Sequence, residues 1–178
     1  GLELGYSRMV VAAKHHFAEL ARHQRKFTLA KTNLDEHLKL AKETNNKRAI
    51  HTNNLLRIDF LLDQEITEGV QALIDQVHLH ITNTGEVRLE AVMSLKQAEL
   101  NSLLGQDAHI IALLETGLEQ AKNSDDGETT LRINQFLAQH HLNSGEWDKA
   151  EKRLQLNFEH NDSNKKTPLT QQIIMAKI

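Results

Sequence analysis

The sequence predicts an all-α fold, a right-handed superhelix of antiparallel helix pairs with four repeats and a final helix. Three observations lead there. The chain has one proline and eight glycines in 178 residues, too few for the many turns of an all-β fold. Its apolar residues recur at helical spacing. A turn signal returns about every 40 residues, and the polar stretches between units keep the same period.

Taken in chain order, the first pair spans 6–23 and 27–43. Its turn is Arg25-Lys-Phe27, and Phe27, Ala30, Leu34, Leu38 and Ala41 share one stripe of the second helix. The second pair, 47–62 with 66–82, turns at Gln64-Glu-Ile66, followed by Gly69 and Leu73. The third, 87–103 with 107–122, turns at Gly105-Gln-Asp107, with Ile110, Leu113, Leu114, Leu118 and Ala121 on one stripe. The fourth, 129–143 with 147–160, turns at Gly145, where glycine accepts the left-handed conformation that ends a helix. Ala150 allows close approach there and Leu154 fills the space one turn on. The turn positions 25, 64, 105 and 145 lie 39, 41 and 40 residues apart. Thr44–Lys47, Asn83–Glu86, Asn123–Glu128 and Asn161–Lys166 are polar connections, with Asp125-Asp126 placed to cap the following helix. Thr167-Pro168 reads as the start of a last helix, 168–178. A lone helical hairpin cannot bury such stripes, so neighbouring pairs must stack into one domain.

The segment Gly145-Glu-Trp147-Asp-Lys-Ala150-Glu-Lys-Arg-Leu154 resembles the second half of a tetratricopeptide repeat, and Leu137-Ala138 resembles that family's Leu-Gly pair. Asp162 stands where many members have proline, and the first three units keep the turn but little of the signature. The long period is similar to that of MalT-like bacterial transcription activators and peptide-sensing regulators. The resemblance implies a binding scaffold whose first helices line a groove. Groove residues on that basis are His15, Glu19 and Arg22, then Asn53, Asn54 and Arg57, then Lys96 and Glu99, and finally Arg132, Gln135 and Gln139. Cations and amides together suit carboxylates and peptide backbone.

Bulk properties narrow the function classes. A net charge of −3 and a pI near 6.4 give no basic field for nucleic acid. The longest apolar runs, such as Met9–Ala13 and Ile110–Leu114, are far too short to span a bilayer. Without cysteine there is neither a disulfide framework nor a thiolate site, and a cytoplasmic protein is expected. The start at Gly1 and the apolar stretch 171–178 read as a piece excised from a longer chain.

No phosphate loop, dinucleotide fingerprint or nucleophile elbow occurs, so no enzyme and no cofactor are expected. Among the eleven histidines the best cluster is His15, His16 and Glu19, with His15 and Glu19 on one helical face. The His-Glu-x-x-His signature is absent, and no metal is expected. His78 and His80, like His140 and His141, fall on different faces of a helix; most of the histidines read as exposed or partly buried surface residues, and Trp147 as packed between the helices of its own pair. The function expected is a protein- or peptide-binding module of a signalling or transcription-regulatory protein. The alternative is a self-association module forming a homodimer, with Leu169, Ile173 and Ile174 as apolar surface. A small-molecule pocket inside the superhelix is a third reading.

Overall fold

The computed structural model describes residues 2–162, and side chains from 9 to 156. Eight α-helices follow one another: α1 (Leu2–His23), α2 (Phe27–Glu43), α3 (Lys47–Leu62), α4 (Val70–Thr84), α5 (Arg88–Leu103), α6 (Ile110–Asn123), α7 (Gly127–Asn143) and α8 (Trp147–Asp162). A short 3₁₀ turn, Asp107–His109, precedes α6, and no strand occurs among the described residues. None of the described helices is long and apolar enough to cross a membrane. The helix expected at 168–178, with Leu169, Ile173 and Ile174, lies outside the described residues.

The chain reverses at a fixed interval. Left-handed residues fall at Arg25, Asn45, Glu65, Gly85, Gly105, Asp125 and Gly145, one every 20 residues. At six of these seven turns the next N–H reaches back to the carbonyl five residues earlier, as in Lys26 N to Ala21 O at 2.8 Å and Glu146 N to His141 O at 2.9 Å. That bond closes the helix end and fixes where the next helix starts. Four of the seven are not glycine, and each holds an unfavourable φ costing on the order of 1 kcal/mol. The opening ends are capped where the sequence allows. Asn46 accepts from Ala49 N and Asp126, as expected, from Thr129 N at 3.0 Å.

Equal spacing puts equivalent residues in register along the array. Ala18, Ile58, Ala98 and Ala138 form one buried line; Ala30, Val70, Ile110 and Ala150 form another; none is more than 2% exposed. Both advance by 40 residues. In the second pair the core residues are therefore Val70 and Ile74. Gly69, with φ +77°, is exposed and Leu73 only half-buried, a shift of one residue from the expected turn at 64. The lines hold small residues in some units and larger ones in others.

Each helix packs on the next, and α1, α3, α5 and α7 also touch one another in succession. No comparable contact links the even-numbered helices. The odd-numbered row is thus the tighter side of the array. Trp147, expected between two helices, is 64% exposed. It opens α8, the last of the described helices. Its counterpart Phe27, 120 residues earlier, packs edge-on against Phe60 of α3 at 6.1 Å.

Gly117 marks the closest approach of α6 to its neighbours. A Cβ there would lie 2.8 Å from Ser94 Cβ and 3.2 Å from the Ile133 side chain. Glycine-to-alanine in a free helix gains about 1 kcal/mol. Here Gly117→Ala is expected to destabilise by about 1–3 kcal/mol, because Ser94 Cβ cannot swing away. Urea unfolding of the two proteins checks the sign; a stabilised variant would contradict the packing.

Candidate binding cleft

Two adjoining cavities open on the odd-numbered row. The smaller, about 240 Å³, is lined mainly by Arg22, Asp59, Asp63, Lys96, Glu99 and Arg132, with Phe136 and Leu103 as apolar wall. The larger, about 540 Å³, shares Arg22, Asp59, Asp63 and Arg132 and adds Glu19, His23, Arg25, Phe27 and Glu128. Four different helices thus contribute to one cleft.

The charged groups form a relay across those helices. Arg22 on α1 holds Asp63 at 2.6 Å and lies 3.6 Å from Asp59 of α3. Lys96 on α5 sits 2.5 Å from Asp59 and 2.8 Å from Glu99. Glu99 in turn lies 3.8 Å from Arg132 on α7. The Lys96 side chain is only 5% exposed, and the two carboxylates offset the cost of burying its ammonium group. Asp59 is the hinge of the relay, touching cations from α1 and α5. Arg132, 41% exposed and weakly paired, is the cation of the relay most available to an incoming group.

The eleven residues expected in a groove divide into three groups. Glu19, Arg22, Lys96, Glu99 and Arg132 come together around the cleft. Asn53, Asn54 and Arg57 instead face even-numbered helices. Asn53 is fully buried and donates to Leu34 O and to His37 Nδ1, both at 2.9 Å. Asn54 donates to Gln76 of α4 at 3.1 Å. Arg57 donates to Asp35 of α2 at 2.8 Å, and Arg57 together with Lys31 holds that carboxyl below its ordinary value against the burial that would raise it. His15 leans on His37 of α2, ring centroids 5.5 Å apart. Gln135 and Gln139 are exposed on α7 and line neither cavity; Gln139 donates to Asn143. Sequence reasoning did not find Asp59, Asp63, Glu128 or Phe136. A signal was available for the first: Glu19, Asp59 and Glu99 are spaced by 40 residues, the true register of the array.

Several histidines sit at helix interfaces rather than on the surface. His37 is 1% exposed, and burial, with the neighbouring His15, lowers its pKa to about 4. Because Nδ1 accepts from Asn53, a proton added there would set two donors face to face. His51 of α3 stacks on His80 of α4 at 3.5 Å, and burial first, then His80, pushes His51 down. His141, 4% exposed, meets Glu146 at 2.7 Å across the last hairpin turn.

No protein-family model, no curated protein and no solved structure matches the chain.

Two outcomes follow from this geometry. Asp59→Ala leaves Lys96 with Glu99 alone and is expected to cost about 2 kcal/mol; adding Lys96→Met should recover part of it. A double-mutant cycle in urea measures that coupling, and strict additivity would mean that the pair does not act as a unit.

The second outcome concerns acid. The unfolded chain protonates His37 near its ordinary value of 6.5, the folded chain only near 4. In that window the unfolded state binds more protons, so stability is full above pH 6.5 and is lost as pH falls toward 4. A tenfold change in proton affinity is worth about 1.4 kcal/mol, so His37 alone should remove about 2 kcal/mol between pH 7 and pH 5. The lowered pKa values of His15 and His51 act in the same direction. Urea midpoints at both pH values check this, and His37→Gln should flatten the slope.

Proposed function

We propose that the chain is a protein- or peptide-binding helical repeat scaffold, using the cleft along α1, α3, α5 and α7. The observation that carries this reading is the cleft's charge balance. Arg22, Lys96 and Arg132 face Asp59, Asp63 and Glu99 around the smaller cavity, and the larger one is similarly mixed. A uniformly anionic ligand would meet as many carboxylates as cations. A segment carrying both signs can instead exchange partners with the relay, and its backbone can use the remaining donors and acceptors. Phe136, Leu62 and Leu103 add an apolar wall for one side chain of such a segment. The likeness of Gly145–Leu154 to a tetratricopeptide repeat supports the same reading, as does the recurrence of helix pairs at 40 residues. In that reading the pairs wind as a right-handed superhelix, as they do in long-repeat bacterial regulators, and the domain serves as the interaction module of a cytoplasmic signalling or regulatory protein.

A second reading has its own observation. Met9, Phe17 and Leu20 are exposed on α1, and Trp147 and Leu156 on α8, so the first and last described helices both present apolar side chains. Self-association through these helices would bury them.

The test is fluorescence titration with three peptide sets of equal length: mixed-charge, all-acidic and all-basic. The mixed set should bind best and weaken with salt. Arg132→Glu combined with Glu128→Lys should reduce that binding at least tenfold while far-UV circular dichroism is unchanged, since both residues line the cleft away from the core. Binding that survives the exchange counts against the cleft. No binding, with a stable dimer in light scattering that Phe17→Glu breaks, supports the second reading.

A further inference from the structure

On the second and third turns of the described α1 side chains, His15, His16 and Glu19 each offer one ligand atom, and these atoms all lie within 4.8 Å of one another. The convergence follows from helix geometry. At 3.6 residues per turn, Glu19 lies one turn beyond the two histidines and at an angle between them, about 40° from His15 and about 60° from His16. Three donors therefore face a single point from one side. We propose that His15, His16 and Glu19 form a three-ligand site for a late first-row divalent cation such as Zn²⁺, with the remaining coordination position left to water or an incoming anion.

The donor set is the right chemistry. Two imidazoles and a carboxylate suit Zn²⁺ and its neighbours, and three protein ligands plus an open position is a common zinc arrangement. Around a tetrahedral ion with bonds near 2.0 Å the ligand atoms are about 3.3 Å apart. Closing from 4.8 Å needs only side-chain rotation, and the two outer groups have room: His16 is 74% and Glu19 44% exposed. His16 Nδ1 already stands 3.7 Å from a Glu19 oxygen. The third group, His15, is anchored against His37 and carries a buried Nδ1 that has no hydrogen-bond partner. His37 is not a fourth ligand through Nδ1, because Asn53 occupies that atom. The sequence alone places His15 and Glu19 on one face and leads to no metal; the convergence of all three donor atoms is what reverses that expectation.

The experiment is a Zn²⁺ titration of the tag-free chain in a non-coordinating buffer, followed by competition with a chromophoric chelator. His16→Ala and Glu19→Gln are the test variants, since both side chains point outward and leave His15 packed. His80→Ala, which removes the stacked histidine on α4, is the control. The expected result is one equivalent bound by the wild type, an affinity at least tenfold weaker in each test variant, and no change in the control. Failure of the wild type to take up Zn²⁺ overturns the assignment. So does a single equivalent that both test variants retain, or one lost only in the control. The peptide titrations do not enter this readout, so the two proposals can fail separately.

Discussion

The constraint on which the rest depends is the 20-residue interval between chain reversals. A helix that always ends after the same number of residues returns the same face to the same neighbour. Core lines such as Ala30–Val70–Ile110–Ala150 can then form without help from any single strong contact. The turn is set by backbone hydrogen bonding, in which the N–H after the left-handed residue closes on the carbonyl five residues back. The closure recurs at Arg25, Asn45, Glu65 and Asp125 although these side chains disfavour the conformation. Packing on both sides of each turn outweighs a local cost on the order of 1 kcal/mol.

Spacing alone would permit helices to slide along one another, and buried polar groups oppose this. Asn53 spans α3 to α2 through two hydrogen bonds, and Arg57 reaches Asp35 on the same neighbour. Lys96 joins α5 to α3 through Asp59. A one-turn slip would leave Asn53 and Lys96 buried and unpaired, at several kcal/mol for the charged Lys96, and would part the more exposed Arg57 from Asp35. Gly117 acts in the complementary way, admitting α5 and α7 to a distance that any side chain would deny. Register along this array is therefore enforced both by polar groups that must meet and by a space that must stay empty.

The fold was legible because it rests on local signals repeated many times. Most helix ends were read to within a few residues, since Gly105, Gly145 and the Asn/Asp-rich connections announce the turns. The one slip, at the second pair, has a clear physical origin. Glu65 holds a left-handed φ without being glycine, while Gly69, four residues on, is also left-handed and drew the register toward itself. The expected site departs from the cleft at this pair on a separate ground. Asn53, Asn54 and Arg57 are polar like Asp59 on the same helix, and only their partners on α2 and α4 set them apart from it. Trp147 differs from its counterpart Phe27 in its neighbours: Phe27 meets Phe60 of α3, whereas Trp147 opens the last described helix and is exposed.

The same distinction explains why the cleft is harder to read than the core. A core position announces itself by being apolar at every repeat. A cleft position is polar, as are the solvent-facing positions around it, and only its partners separate the two. Glu99 and Gln139 occupy equivalent places on successive odd-numbered helices, yet Glu99 is tied to Lys96 and Arg132 while Gln139 bonds only within its own helix. What decides the difference is whether a cation from the adjacent helix reaches the same point, and those cations, Arg22, Lys96 and Arg132, do not follow the 40-residue period. Three of the carboxylates, Glu19, Asp59 and Glu99, keep the 40-residue period. The cations that answer them come from whichever turn can reach. The character of the cleft therefore resides in its non-repeating half, the part that periodicity in the sequence cannot disclose.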